Sequence, residues 1–221
     1  MAVVLVIGAS RGIGRGLVQA CLQRGDRVLA TVRKPEDVQA LRAAGAEVLV
    51  VDVAQPSSVS GLSWQLDGIE IDLAWYVAGV WDGSSASSPP TQEQFDHVMH
   101  TNVLGAMQVL PQVMPCVEAA GGTMVCISSQ MSRLAQAYSH AWLYRTSKAA
   151  LNMVVASAQP AWPAATLVAM DPGWVQTEMG GTGAPVTVEA SVQGMLRTVA
   201  QCTNQDRGRL LRYDGTRWDN G

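Results

Sequence analysis

Residues 2–7 form an unbroken aliphatic run, AVVLVI, that leads straight into GASRGIG at 8–14. A segment apolar at every position has no side to offer water. As a strand it must be covered on both faces, which places it inside a parallel sheet. After the glycines, Ile13, Leu17, Ala20 and Cys21 recur at helical spacing, and Gly25 stands where a helix stops. Strand, glycine turn and helix in this order leave few ways onward. The next strand has to return parallel to the first through a right-handed crossover.

The same alternation continues to the end of the chain. Strands are predicted over 27–32, 47–51, 71–77, 123–128, 165–170 and 208–212. Helices are predicted over 35–44, 57–66, 91–116, 142–158 and 188–200, with Thr91 as an N-cap and a kink at Pro111. No repeat, linker or second composition regime interrupts the pattern. It predicts an α/β fold, a single doubly wound Rossmann-fold domain over 1–221. Its sheet has seven parallel strands with helices on both faces.

Composition narrows the function. Apolar residues make up 48% of the 221 and charged residues 15%, as expected of a core-rich globular chain. The net charge is −3 and the longest basic run is Arg33-Lys34, so no nucleic-acid partner is expected. Cys21, Cys116, Cys126 and Cys202 are scattered, with no CxxC and no histidine at ligand spacing. That argues against a metal site and against a disulfide scaffold. No apolar stretch reaches the ~18 residues of a membrane span, and no basic leader precedes the first strand, so a cytoplasmic location is expected.

The glycine turn is the first candidate site. Gly8 permits a tight turn, and a side chain at Gly12 or Gly14 would block a pyrophosphate or the packing of helix on strand. The helix N-terminus then offers free N–H groups to phosphates. Gly8, Ser10, Arg11, Gly12, Ile13 and Gly14 are the candidate cofactor-binding residues here, in a GxxxGxG spacing. An NAD-preferring site puts an acid at the end of the second strand. This chain has Thr31-Val32-Arg33-Lys34 there. Arg33, with Arg11, can grip a 2′-phosphate, so NADP(H) is expected ahead of NAD(H).

The second candidate is Tyr144-Arg145-Thr146-Ser147-Lys148 at the start of a predicted helix. Spaced i, i+4, Tyr144 and Lys148 share a face. An ammonium beside a phenol favours phenolate and lowers its pKa, which suits a group that gives or takes a carbonyl's proton. The chain has only two lysines and four tyrosines. A chance YxxxK arises in about 4% of such chains, so the short motif is unusually informative here.

Taken together, these residues resemble the classical short-chain dehydrogenase/reductase family over nearly the whole chain. In family order stand Gly8-x3-Gly12-x-Gly14, Asp52-Val53, Ala78-Gly79, Asn102, Ile127-Ser128-Ser129, Tyr144-x3-Lys148 and Pro172-Gly173-x-Val175-x-Thr177. The phrases YRTSKAALN, PGWVQTEMGG and GRLLRYDGTRW are similar to the C-factor and sniffer-like carbonyl reductase branch. The resemblance implies roles. Tyr144 is the general acid/base. Lys148 lowers its pKa and binds the nicotinamide ribose. Ser129 polarises the substrate carbonyl, and Asn102 holds a water in a proton relay. Asp52 and Val53 meet the adenine, Ala78 and Gly79 admit the adenosine ribose, and Pro172, Gly173, Val175 and Thr177 border the nicotinamide.

Departures from the family pattern are also present. Tyr76-Val77 replaces the usual Asn-Asn before Ala78-Gly79, which is expected to weaken the fixing of the backbone there. Ser129 lies 15 residues before Tyr144 where 13 is usual, which keeps Ser128 and Ser132 open as alternatives. Trp81, Met131, Tyr138 and Trp174 are expected to line an apolar substrate pocket, with His140, Trp142 and Met179 near its mouth and residues 178–185 as a lid.

By the same resemblance, helices at 91–117 and 142–158 pair in a homodimer or homotetramer through Phe95, Val98, Met99, Met107 and Leu110. The expected activity is NADPH-dependent reduction of an apolar or aromatic aldehyde or ketone, or the reverse. The alternative is a cofactor-binding regulatory protein of the C-factor type with weak turnover. A dehydratase or epimerase of the wider family is a third reading.

Overall fold

A computed structural model describes residues 1–218. Its strands are β1 (Val3–Ile7), β2 (Arg27–Val32), β3 (Glu47–Val50), β4 (Leu73–Tyr76), β5 (Thr123–Ile127), β6 (Thr166–Asp171) and β7 (Leu210–Arg212). They form one seven-stranded sheet in the order β3-β2-β1-β4-β5-β6-β7, and every neighbouring pair is parallel. The fold class and the strand placements read from the sequence agree with this sheet.

Alternate residues of each strand feed opposite layers. From β1, Leu5 and Ile7 join a core with Val109, Val113 and Met114 of α6 (Gly105–Ala119) and Leu151 and Val155 of α7 (Trp142–Ala158). Val4 and Val6 join the other layer, with Leu17 and Val18 of α1 (Gly12–Gln23) and Val192 and Met195 of α8 (Val188–Ala200). This two-sided burial is why the first strand lacks a polar position. Strand order reverses between β1 and β4, and such a switch point opens a crevice at the strands' carboxyl ends.

Three predicted helices are broken differently from expectation. The segment at 35–44 opens with a 3-10 turn before α2 (Val38–Ala43). The segment at 57–66 is two single turns, α3 (Pro56–Val59) and α4 (Leu62–Gln65). The long helix is not interrupted at Pro111. It runs as α5 (Gln92–Met99), a π turn at His100–Leu104, and then α6, which holds both Pro111 and Pro115. Thr91 does cap α5, in a box with Gln94. The π turn sits where Gly105 crosses β4. A Cβ there would lie 2.6 Å from the Tyr76 hydroxyl and 2.8 Å from the Val53 carbonyl. The Tyr76 hydroxyl also donates to the Thr101 carbonyl at 2.7 Å, inside the turn. The position read as a missing asparagine is therefore a buried anchor for this turn.

Candidate active site

A cleft of about 1820 Å³ follows the carboxyl ends of the strands. Its β1 end is shaped by the glycines. Gly8 has φ +89°, and a Cβ there would lie 2.8 Å from the Ala78 nitrogen. Gly12 has φ +52° and faces Thr177, while a Cβ on Gly14 would lie 2.1 Å from the Gly8 carbonyl oxygen. Gly14 thus seats the helix on its own turn and does not face the cleft. Helix α1 starts without a side-chain cap and with no acid in its first turn. Its first N–H groups, with the helix dipole behind them, favour an anion in the cleft.

The charged residues divide. Arg33 is exposed on the cleft wall. Arg11 also lines the cleft but is ion-paired with Glu178 of the loop after β6. Glu178 thus reaches across the mouth to the Arg11 that was expected beside Arg33 at the 2′-phosphate. Lys34 pairs with Glu36 at 3.2 Å. Asp52 accepts from the Ala54 N–H at 3.0 Å and its own N–H donates to Ser58 Oγ at 2.9 Å. Val53, Ala78, Gly79, Ser10 and Ile13 line the same end, and Pro172, Gly173, Val175 and Thr177 line the middle.

The other end is made of buried side chains. The first two turns of α7 bring Tyr144 and Lys148 to the wall, 7% and 3% exposed. Lys148 Nζ donates to the Ile127 carbonyl at 2.8 Å and lies 5.7 Å from the centre of the Tyr144 ring. The Ser129 hydroxyl meets Tyr144 and accepts from the Met131 N–H at 3.1 Å. Ser128 and Ser132 are turned elsewhere. Ser128 donates to Asn152 Oδ1 at 2.6 Å, and Ser132 donates to the Ser129 carbonyl at 2.6 Å and accepts from Asn152 Nδ2 at 2.8 Å. Of the three serines, Ser129 is the one presented to Tyr144.

Asn102 stands behind the wall in the π turn, fully buried. Its Nδ2 donates to the Val80 carbonyl at 3.0 Å and to Ser147 Oγ at 2.9 Å, and its Oδ1 accepts from the Val80 N–H at 2.8 Å. Asn102 Oδ1 and Lys148 Nζ both lie 3.4 Å from the point where a Gly79 Cβ would sit. Ser147 escaped the sequence reading although it sits inside the YRTSK phrase.

Burial changes the acid–base picture. Desolvation, and after it the Asp171 charge, push the Tyr144 phenol well above its usual range, against a lowering by the Ser129 hydrogen bond. Burial brings Lys148 down to about 8. Burial, which disfavours the charged form, is the largest influence on both groups.

The pocket beyond is aromatic. Trp81 packs against Tyr144 with ring centres 4.7 Å apart. Met131, His140, Trp174 and Met179 line the opening, and Trp174 Nε1 donates to the Gly180 carbonyl at 2.8 Å. Tyr138 does not belong to it. It is 70% exposed and lies under the Arg145 guanidinium, outside the cleft. Its ring is turned outward, where Arg145 also holds the His140 and Gln136 carbonyls.

Residues 2–185 match the family model of short chain dehydrogenases. The chain belongs to the short-chain dehydrogenase family. It is therefore an oxidoreductase that acts on a small-molecule substrate with a nicotinamide cofactor. It is 29% identical, over 98% of both chains, to 1-hydroxy-2-glutathionyl-2-methyl-3-butene dehydrogenase of Rhodococcus sp. strain AD45. It is 37% identical over 52% of its length, and 72% of the other's, to the C-signal of Myxococcus xanthus.

Among solved structures, a carbonyl reductase from Pseudomonas aeruginosa PAO1 is 32% identical, with TM-score 0.85 over 99% of both chains. A short-chain dehydrogenase/reductase from Burkholderia multivorans with bound NADP is 28% identical, with TM-score 0.87 over 98% of this chain and 99% of that one. The carbonyl reductase Sniffer of D. melanogaster, at 24% identity, shares the fold with TM-score 0.90 over 98% of both chains. The C-factor and sniffer-like branch read from the sequence agrees with these relatives.

Among the described residues, no helix is long and apolar enough to cross a membrane, and no group of three or more His, Cys, Asp or Glu could hold a metal ion.

Proposed function

We propose that this enzyme reduces an apolar or aromatic aldehyde or ketone with NADPH. The observation that carries the reading is one continuous cleft. The buried Tyr144 and Lys148 with half-buried Ser129 close one end, and an uncapped helix N-terminus with Arg33 closes the other. The residues fit a dinucleotide, because the close approaches at Gly8, Gly12 and Gly79 leave backbone where side chains would fill the cradle. The helix α1 N–H groups hold the pyrophosphate and Arg33 the 2′-phosphate, and Lys148 and Thr177 border the nicotinamide side. When bound, the cofactor supplies the hydride.

Ser129 donates to the substrate carbonyl oxygen and polarises it. Tyr144 gives that oxygen its proton. Lys148 restores the proton from behind, beside the Asn102 that holds the π turn against Val80. Trp81, Met131, Trp174 and Met179 exclude water and favour apolar substrates. Carbonyl reduction by the P. aeruginosa relative and bound NADP in the B. multivorans relative support this reading. Likeness to the C-signal supports a signalling role instead, which predicts cofactor binding without turnover.

We also propose that the chain forms one domain, sits in a reducing cytoplasm that suits its free thiols, and dimerises through α5, α6 and α7. Phe95, Met107 and Met153 stand exposed there, while Val98 and Leu110 are buried in the monomer.

The test is NADPH oxidation with a panel of aldehydes and ketones. Tyr144→Phe is expected to lower kcat about 10²–10⁴-fold. Tight NADPH binding with no Tyr144-dependent turnover across the panel would overturn the enzyme reading and favour the signalling one.

A further inference from the structure

Asp171 ends β6 as a charged residue on an otherwise apolar strand, 1% exposed. It follows Leu167 and Ala169 on the side of the sheet that packs against α7, so it stands on the Tyr144 side and lines the cleft. One oxygen has a clear duty. Oδ1 accepts from the Gln130 N–H at 3.0 Å. Gln130 follows Ser129, whose carbonyl is gripped by Ser132 and whose hydroxyl is gripped by the Met131 N–H. The Asp171 carboxylate is therefore the peg that sets the loop presenting Ser129 to Tyr144.

The other oxygen is poorly matched. Oδ2 lies 3.5 Å from Arg212 Nε, and neither atom makes a hydrogen bond. The Arg212 guanidinium is drawn off to Asp214 at 2.6 Å and lies over the Tyr213 ring. A buried carboxylate with one idle oxygen and a shared cation is unfavourable for stability. A neutral amide would serve Gln130 as well, so holding the loop does not account for the charge. The charge has a target. Of the groups facing Asp171, Arg212 and Asp214 lie on and beyond β7. Tyr144 of α7, on the same cleft wall, is the group its charge reaches, and Lys148 of that helix has the Cys126 thiol of β5 near it.

We propose that Asp171 is a positioning residue of the active site, whose carboxylate orients Ser129 through Gln130 and whose charge keeps the Tyr144 hydroxyl in its proton-donating form. The proposal rests on the reading of Tyr144 as the acid. Asp171 exchanges no proton itself. It extends carbonyl reduction to higher pH and moves alcohol oxidation, which needs the phenolate, to higher pH as well. The raised titration of Tyr144, with Asp171 as its second cause after burial, agrees with this.

The experiment compares pH profiles of reduction and oxidation in wild type, Asp171→Asn and Arg212→Gln. Asparagine keeps an oxygen for the Gln130 N–H and removes only the charge. The falling limb of reduction and the rising limb of oxidation are both expected about one pH unit lower, as a nearby charge typically produces. Arg212→Gln strips the cation at 3.5 Å, from a partly exposed position that tolerates change, and is expected to move the limbs the other way. Superimposable profiles for Asp171→Asn, or both variants shifting together, would overturn the proposal.

A wild type without Tyr144-dependent turnover sinks the catalytic reading instead. In that case ultraviolet difference titration against Tyr144→Phe still reads the phenol. Its onset is expected at lower pH in Asp171→Asn, and an unmoved onset overturns the proposal on its own.

Discussion

At the β1–β2 end of the cleft the wall is backbone, glycine and exposed charge; at the β5–β6 end it is buried side chain. Arg33 and the Arg11–Glu178 pair sit in water, where solvent and salt screen their charges. Tyr144, Lys148 and Asp171 sit out of water, and burial is the first cause of every one of their shifts. One end can select a ligand by shape and point charge without tuning anything. The other has to tune its groups, and desolvation is what it uses. On the proposed function, exposed charge would govern affinity for the cofactor and buried charge would govern protonation.

Substitutions can break or sharpen that contrast. The largest effect after loss of the tyrosine itself is expected at Lys148. Lys148→Met removes the ammonium beside Tyr144 and is expected to lower kcat about 10²-fold or more. It should also change stability. Lys148 titrates near 8 when folded and near its ordinary, higher value when unfolded. Between those values the unfolded chain binds more protons, so stability rises with pH. Above about pH 9 the thiols of Cys21, Cys126 and Cys202, pushed up by burial to about 11, 12 and 11, work in the opposite sense, and above about pH 10 the raised Tyr144 joins them. Thermal midpoints should therefore climb between about pH 8 and 9 in wild type and lose that climb in Lys148→Met. A flat wild-type curve would show that desolvation does not govern this end.

Next comes Arg33→Ala. Losing a charge-assisted contact of about 1.5–3 kcal/mol is expected to raise the KM for NADPH about tenfold or more. The KM for NADH should barely move, and the gap should narrow at high salt. Equal effects on both cofactors would remove Arg33 from the 2′-phosphate and blur the contrast.

The smallest effect is expected at Tyr76→Phe. It deletes the 2.7 Å hydrogen bond to Thr101 and leaves the ring in place. A stability loss of about 1 kcal/mol in urea unfolding is expected, with a few-fold drop in kcat because the π turn carries Asn102. A variant as stable and active as wild type would deny the turn its anchor.

Much of this site was legible from residue order. The glycine turn, Arg33 and the Tyr144–Lys148 pair could be read because each depends on spacing within one strand–turn–helix unit, while Asp52 and the Ala78-Gly79 step were implied by the family resemblance. Tyr138 was misplaced because its loop follows Arg145 and the carbonyls it holds. The π turn was invisible because its cause, the Tyr76 hydroxyl and the tight crossing at Gly105, comes from a strand 25 residues away in sequence.

Order of residues alone therefore determined the seven parallel strands, the crossover scheme and the list of groups the cleft can draw on, since periodicity and turn chemistry are local properties. The fold decided how those groups behave. Only three-dimensional packing strips water from Tyr144 and Lys148, turns Ser128 and Ser132 away, sets Glu178 on Arg11 and brings Asp171 to the catalytic side. Desolvation depends on everything that surrounds a group, and most of those surroundings are distant in sequence.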